Sequence, residues 1–150
     1  MKRTLSIFLA CIILLGISTG GVAVATEEIE LVEVGFEPFG SDFLSSYSGS
    51  ISRVSSGNLR INFNVRATAI FSNVGALTIA IQERNGNSWR TVTTFFSSTT
   101  SGMMGSNTIS HSGSVNYTGT AGVVYRASIT VFAGGTSGDQ RNFVTNSVTA

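Results

Sequence analysis

The sequence predicts an all-β protein, an antiparallel β-sandwich of about seven strands behind an N-terminal export signal. Beyond that signal no stretch repeats its apolar residues at helical spacing. Several runs instead alternate apolar and polar residues, and clusters of Gly, Ser and Asn separate them at intervals of roughly 8 to 15 residues. Such a series of short strands closes on itself as a sandwich or barrel, and an immunoglobulin-like arrangement is among those the spacing allows.

The first 25 residues have the three-part form of a secretory signal. Lys2 and Arg3 give a positive start, Ile7 to Ile17 is apolar, and Ala23-Val24-Ala25 is a small-x-small site that predicts cleavage between Ala25 and Thr26. The apolar run falls short of the roughly 20 residues a membrane span needs, so contact with the membrane is expected only through this signal. Cys11, the single cysteine, lies inside the run. A lipoprotein cut at Cys11 would leave too short an apolar core, so the expectation is a secreted, disulfide-free protein, free or associated with the cell surface.

Residues 26–45 form an acidic lead-in and residues 46–150 the predicted β-domain. Glu27, Glu28, Glu30, Glu33, Glu37 and Asp42 crowd the lead-in, where Pro38 interrupts any strand. Only Glu83 and Asp139 follow, against seven arginines from Arg53 to Arg141. The formal net charge of the whole chain is +1, which argues against nucleic acid as a partner.

The first predicted strand, Ser46 to Val54, is rich in serine and sets Tyr47, Gly49 and Ile51 on one face. After the turn Ser55-Ser56-Gly57-Asn58 comes the cleanest alternation in the chain. Leu59, Ile61, Phe63, Val65 and Ala67 form a dry face, and Arg60, Asn62, Asn64, Arg66 and Thr68 a wet one. Ala76 to Phe96 reads as a hairpin whose Asn85-Gly86 supplies the positive φ angles of a tight turn, with Trp89 opening the return strand. Ser97 to Asn107 reads as a long loop. Ile109 to Thr118 alternates with one wholly polar face, and Val123 to Phe132 is apolar enough on both faces to be central. Tyr125, just after a Gly-rich turn in the penultimate strand, stands where sandwiches place a tyrosine corner. Gly134 to Asp139 turns the chain into a last strand marked by Phe143, Val144 and Val148.

Ile81-Gln82, then Asn85-Gly86-Asn87-Ser88-Trp89, then Gly122-Val123-Val124-Tyr125-Arg126-Ala127 resemble the pattern of a family of small exported proteins from Gram-positive bacteria, whose β-rich domain has no known function. That pattern is a signal peptide, an I-x-L-Q strand, a polar turn ending in Trp, a G-x-x-Y-R strand and a closing strand with a Thr. In this chain Ala80-Ile81-Gln82 departs from the Leu before Gln, and Thr145 or Thr149 could stand for the closing Thr. The resemblance covers about residues 45 to 150 and implies export and a β fold. It brings no activity and no site residues.

Chemistry is sparse. His111 is the only histidine and lies between serines, with no convergent acid to complete a triad. Glu83 and Asp139 sit in predicted turns, where acidic residues are ordinary, so a glycosidase carboxylate pair is disfavoured. Without cysteine or a histidine cluster no metal site is expected, and no cofactor motif is present. No catalytic residue is therefore assigned. Trp89 with Arg84 and Arg90 is the candidate binding surface, a platform for a sugar or surface polymer. Against it stands the plainer alternative that Trp89 fills the core at the hairpin base. The expected function is a non-enzymatic binding or cell-envelope-associated module whose partner is a cell-wall polymer or another surface protein. A secreted pore-forming or antimicrobial β protein is the first alternative, suggested by Thr91 to Tyr125, which holds no charged residue apart from His111. A small hydrolase is the third.

Overall fold

The computed structural model describes residues 41–150. The predicted export signal, its expected cleavage between Ala25 and Thr26 and most of the acidic lead-in lie outside these residues. Eight strands follow one another: β1 (Leu44–Ser55), β2 (Asn58–Phe71), β3 (Asn73–Asn85), β4 (Ser88–Phe96), β5 (Met104–Gly105), β6 (Thr108–Thr118), β7 (Val124–Gly134) and β8 (Gly138–Thr149). Every pairing is antiparallel. One sheet has the order β1-β2-β6 and the other the order β4-β3-β7-β8, with the two-residue β5 added beside β3. This is the predicted sandwich. With β5 set aside, the order is immunoglobulin-like, the fourth long strand having switched to the second sheet.

The period-2 pattern accounts for the packing. Along β2 the wet residues are exposed and Leu59, Ile61, Phe63, Val65 and Ala67 are buried. β7, flanked by β3 and β8, buries Tyr125, Ala127, Ile129, Val131 and Ala133 in the core shared with the first sheet. Ile79 and Ile81 of β3 complete the middle of the core. A fully buried Val or Ile side chain contributes roughly 1.5 to 3 kcal/mol, so the shared interior of the two sheets is the main source of stability in a domain without disulfides.

Three local devices fix the frame. The Tyr125 ring is buried, its hydroxyl accepts the Thr120 N–H at 3.0 Å, and Tyr117 meets the ring edge-on at 5.6 Å. This is the tyrosine corner that the sequence position suggests. Gly119 is required beneath it, since a Cβ there would stand 2.7 Å from the Tyr125 ring. In β8 a bulge opposite Ala127 brings the Thr145 hydroxyl, rather than a backbone carbonyl, to the buried Ala127 N–H at 3.0 Å. At the β1 edge, the Asn146 side chain accepts the Ile51 N–H at 3.1 Å and donates to its carbonyl at 3.0 Å, as a neighbouring strand would.

Two expectations change. In the β3–β4 hairpin Asn85 pairs with Ser88, and only Gly86 takes a positive φ, of 60°. The central pair is thus Gly86-Asn87, with Gly first as in a type II′ turn, and Asn85 belongs to the strand. The segment from Ser97 to Asn107 is not wholly a surface loop. Met103 is fully buried, its carbonyl accepts the Ala76 N–H at 2.8 Å, and β5 adds to β3 just after it.

Candidate functional site

Trp89 is not a core anchor. It is half-buried and lies outside the hydrophobic cluster, because pairing with Arg84 across the hairpin puts both side chains on the outer face of the second sheet. The Arg126 guanidinium sits 4.3 Å from the Trp89 ring centroid and that of Arg84 sits 5.3 Å away. Gln82 Oε1 accepts from Arg126 Nε at 2.8 Å and holds it in place. Each such cation–π contact is worth about 0.5 to 1 kcal/mol at an exposed site, so the cluster braces the sheet surface as well as presenting a ring.

The structure therefore divides the predicted trio. Arg84 stands with Trp89, whereas Arg90 pairs with Glu83 in the only ion pair among the described residues. Glu83 lies opposite the buried Tyr125, on the inner side of the sheet, and Arg90 follows it there. The hydrogen bond from Arg90 to Glu83, then the charge of that carboxylate, raise the Arg90 pKa above its ordinary value. Arg126 takes the place in the cluster that the sequence suggested for Arg90. Its adjacency depends on the register that sets Gln82 beside Arg126, which no local pattern reveals.

A second surface is built by the first sheet. Its outer face consists of three aligned polar columns. Ser46, Arg66 and Ser110 form one row across β1, β2 and β6, and Ser48, Asn64 and Ser112 form the next. Then come Ser50, Asn62 and Ser114, and finally Ser52, Arg60 and Asn116. Rows repeat at about 6.8 Å along the strands and columns at about 4.8 Å across them. Asn64 donates to Ser112 Oγ at 2.6 Å, and Arg60 Nε donates to Asn116 Oδ1 at 3.3 Å. No acidic residue occurs on these three strands. Neither Arg53 nor Arg66 has a carboxylate partner among the described residues.

Because serine is small, the face is not flat. A depression of about 270 Å³ opens between β1 and β2, lined by Ser48, Gly49, Ser50, Asn62, Phe63 and Asn64. Arg66 and Arg60 bracket it in the rows above and below. A second depression of about 250 Å³ lies among Val54, Asn58, Arg60, Asn116 and Thr118. The separate polar faces are visible in the sequence as Ser46 to Ser52, Arg60 to Arg66 and Ser110 to Asn116. Only the pairing β1-β2-β6, which brings the distant β6 beside the β1–β2 hairpin, aligns them.

His111 has its Nε2 at 2.9 Å from the Gly102 carbonyl oxygen and its ring 6.0 Å from that of Phe63. Among the described residues no carboxylate bonds to it. The Asp139 carboxylate accepts the Ser41 hydroxyl, and Glu83 is held by Arg90. Among the described residues no group of three His, Cys, Asp or Glu side chains is placed to hold a metal ion. Compared with models of known protein families and with characterised proteins, the sequence matches none.

Proposed function

We propose that this chain is an exported, non-enzymatic binding module acting in the extracellular space or at the cell surface, and that the outer face of its three-stranded sheet binds a polyhydroxylated cell-envelope polymer. The observation that carries this reading is the depression among Ser48, Ser50, Asn62 and Asn64, bracketed by Arg60 and Arg66. Serine hydroxyls and asparagine amides both donate and accept hydrogen bonds, as sugar hydroxyls do. The Arg60 and Arg66 backbones stand about 20 Å apart along β2, and their guanidinium groups suit carboxylate or phosphate substituents on such a polymer. Export and the resemblance to Gram-positive secreted proteins agree with this setting and belong to the same proposal.

Retention on insoluble peptidoglycan and on a panel of immobilised polysaccharides tests the reading. The double variant Asn62→Ala/Asn64→Ala is expected to lose at least about tenfold in affinity, the equivalent of about 1.4 kcal/mol, while Trp89→Ala retains binding. The reverse result moves the site to the Trp89 cluster, and no retention on any polymer removes the binding reading. The charge-free run from Thr91 to Tyr125 favours a pore-forming protein as the second reading. In the sandwich this run buries Met103 and Val115 in the core, so leakage of liposome contents by the purified protein would require that core to open.

A further inference from the structure

The sandwich has four edge strands, β1 and β6 in one sheet and β4 and β8 in the other. Edges expose unpaired backbone N–H and C=O groups, and proteins ordinarily blunt them with charges, bulges or side-chain caps. Three of the four are blunted. β1 carries Arg53, register shifts at both ends and the Asn146 cap on Ile51. β4 carries Arg90 and lies against a bulge, and β8 carries Asp139 and Arg141 with a bulge of its own. β6 has no charged residue apart from His111, no proline, and an unbroken register with β2 from Asn58↔Thr118 to Arg66↔Ser110.

The direction of its backbone groups follows from two independent observations. Asn146 occupies the N–H and C=O of Ile51, so those groups point away from β2. By the alternation of antiparallel ladders, the groups of Ile61, Phe63 and Val65 then turn toward β6. They meet Val115, Gly113 and His111, which leaves Ser112, Ser114 and Asn116 facing outward. The same phase appears at the start of β6, where the Thr108 hydroxyl accepts the Ser110 N–H at 3.3 Å and donates to its carbonyl at 2.8 Å. Beyond Ser110 no such cap exists among the described residues.

We propose that β6 is a self-pairing edge. Two copies join antiparallel about a two-fold axis through Ser114, with Ser114 opposite Ser114 and Ser112 opposite Asn116 of the second copy. In such a pairing Ser114, on the axis, faces its own symmetry mate, so a charge there would meet a like charge. β6 carries none apart from His111, as such a pairing requires. Hydroxyls and amides meet across the axis, and the two polar faces merge into one six-stranded surface. Strand pairing over so few residues buries little area, so the dimer is weak and reversible, dissociating in the range of about 10 µM to 1 mM. This inference is independent of the polymer-binding proposal.

Sedimentation equilibrium of the purified protein over that concentration range is the test, with Ser114→Lys and Ser114→Glu as variants. The Ser114 side chain is exposed, so neither substitution disturbs the core. The parent protein is expected to dimerise, and each variant alone to bind itself at least about tenfold more weakly, while an equimolar mixture of the two regains the dimer. Rescue by mixing is not expected from a variant that merely misfolds. Hydrogen exchange adds a signature: amides of Ser112, Ser114 and Asn116 gain protection with concentration, whereas those of Gly113 and Val115 are protected throughout. A parent that stays monomeric at about 1 mM, variants that dimerise as the parent does, or a mixture without rescue would each overturn the proposal.

Discussion

Replacing Thr145 by Val tests whether the β8 bulge is held by a side-chain hydrogen bond. Thr145 is 8% exposed, and its hydroxyl is the partner of the Ala127 N–H, which lies in the middle of the buried central strand. Val has nearly the shape of Thr and fills the same space, so no cavity forms. What changes is that the Ala127 N–H loses its acceptor at a position with 0% exposure, where water cannot replace it. Leaving a buried donor unpaired costs about 1 to 3 kcal/mol. The Asn146 carbonyl, which the same hydroxyl also reaches at 2.7 Å, belongs to an exposed residue and can turn to solvent. Against a typical total of about 5 to 15 kcal/mol, a loss of about 2 kcal/mol lowers the melting temperature by about 8 °C or more in a domain of this size. Urea titration followed by circular dichroism and Trp89 fluorescence measures it, with the denaturant slope unchanged. Thr145→Ser is the control, keeping the hydroxyl and losing one methyl, at a cost below about 1 kcal/mol. If Thr145→Val lies within about 0.5 kcal/mol of the parent while Thr145→Ser is the more damaging, the hydroxyl does not hold the bulge.

Other consequences are equally open to measurement. Gly119→Ala places a methyl 2.7 Å from the Tyr125 ring and is expected to cost more than Gly122→Ala, where space is free and only the φ of 81° is strained. The latter cost is roughly 1 to 2 kcal/mol, and a reversed ranking in thermal melts would undo the tyrosine-corner account. Burial, then the charge of Tyr125, then that of Glu83, push the Tyr117 phenol above its ordinary value of 10.0. A group whose value rises on folding contributes stability that is complete below its unfolded value and lost as pH climbs through the folded one. Denaturation midpoints are therefore expected to hold up to about pH 10 and fall above it, and Tyr117→Phe should flatten that part of the profile. Native Trp89 fluorescence is expected to be quenched by acrylamide, more strongly after Arg126→Ala uncovers the ring. A blue-shifted emission that resists quenching would contradict the half-buried placement.

The dry and wet faces of β2 were legible because burial on a pleated strand has period 2, and that period depends on nothing beyond the strand itself. The same holds for the central character of β7 and the position of Tyr125, where the turn and the strand start are adjacent in sequence. The core alternative for Trp89 fails for a related reason. Large aromatics are buried more often than not, and a single sequence cannot show that the hairpin register sets this one opposite Arg84 on the solvent side. The polar face was half legible: each strand displays its own column, but neither the alignment of Asn62 and Asn64 with Ser48, Ser50, Ser112 and Ser114 nor the depression between β1 and β2 is local.

The sequence alone determined the strand class, the approximate places of most turns and the inward residues of the strands that alternate cleanly, since these follow from alternation, backbone preferences and burial within a few neighbouring residues. Tertiary structure alone decided which strands share a sheet, and hence which surfaces exist. It moved Arg90 away from Trp89 and brought Arg126 to it, carried Thr145 to the Ala127 amide, and placed uncharged β6 at an open edge. Each of these depends on register and pairing between strands, within a hairpin or across the chain, where the free energy lies in the fit of whole faces and no single segment carries the signal.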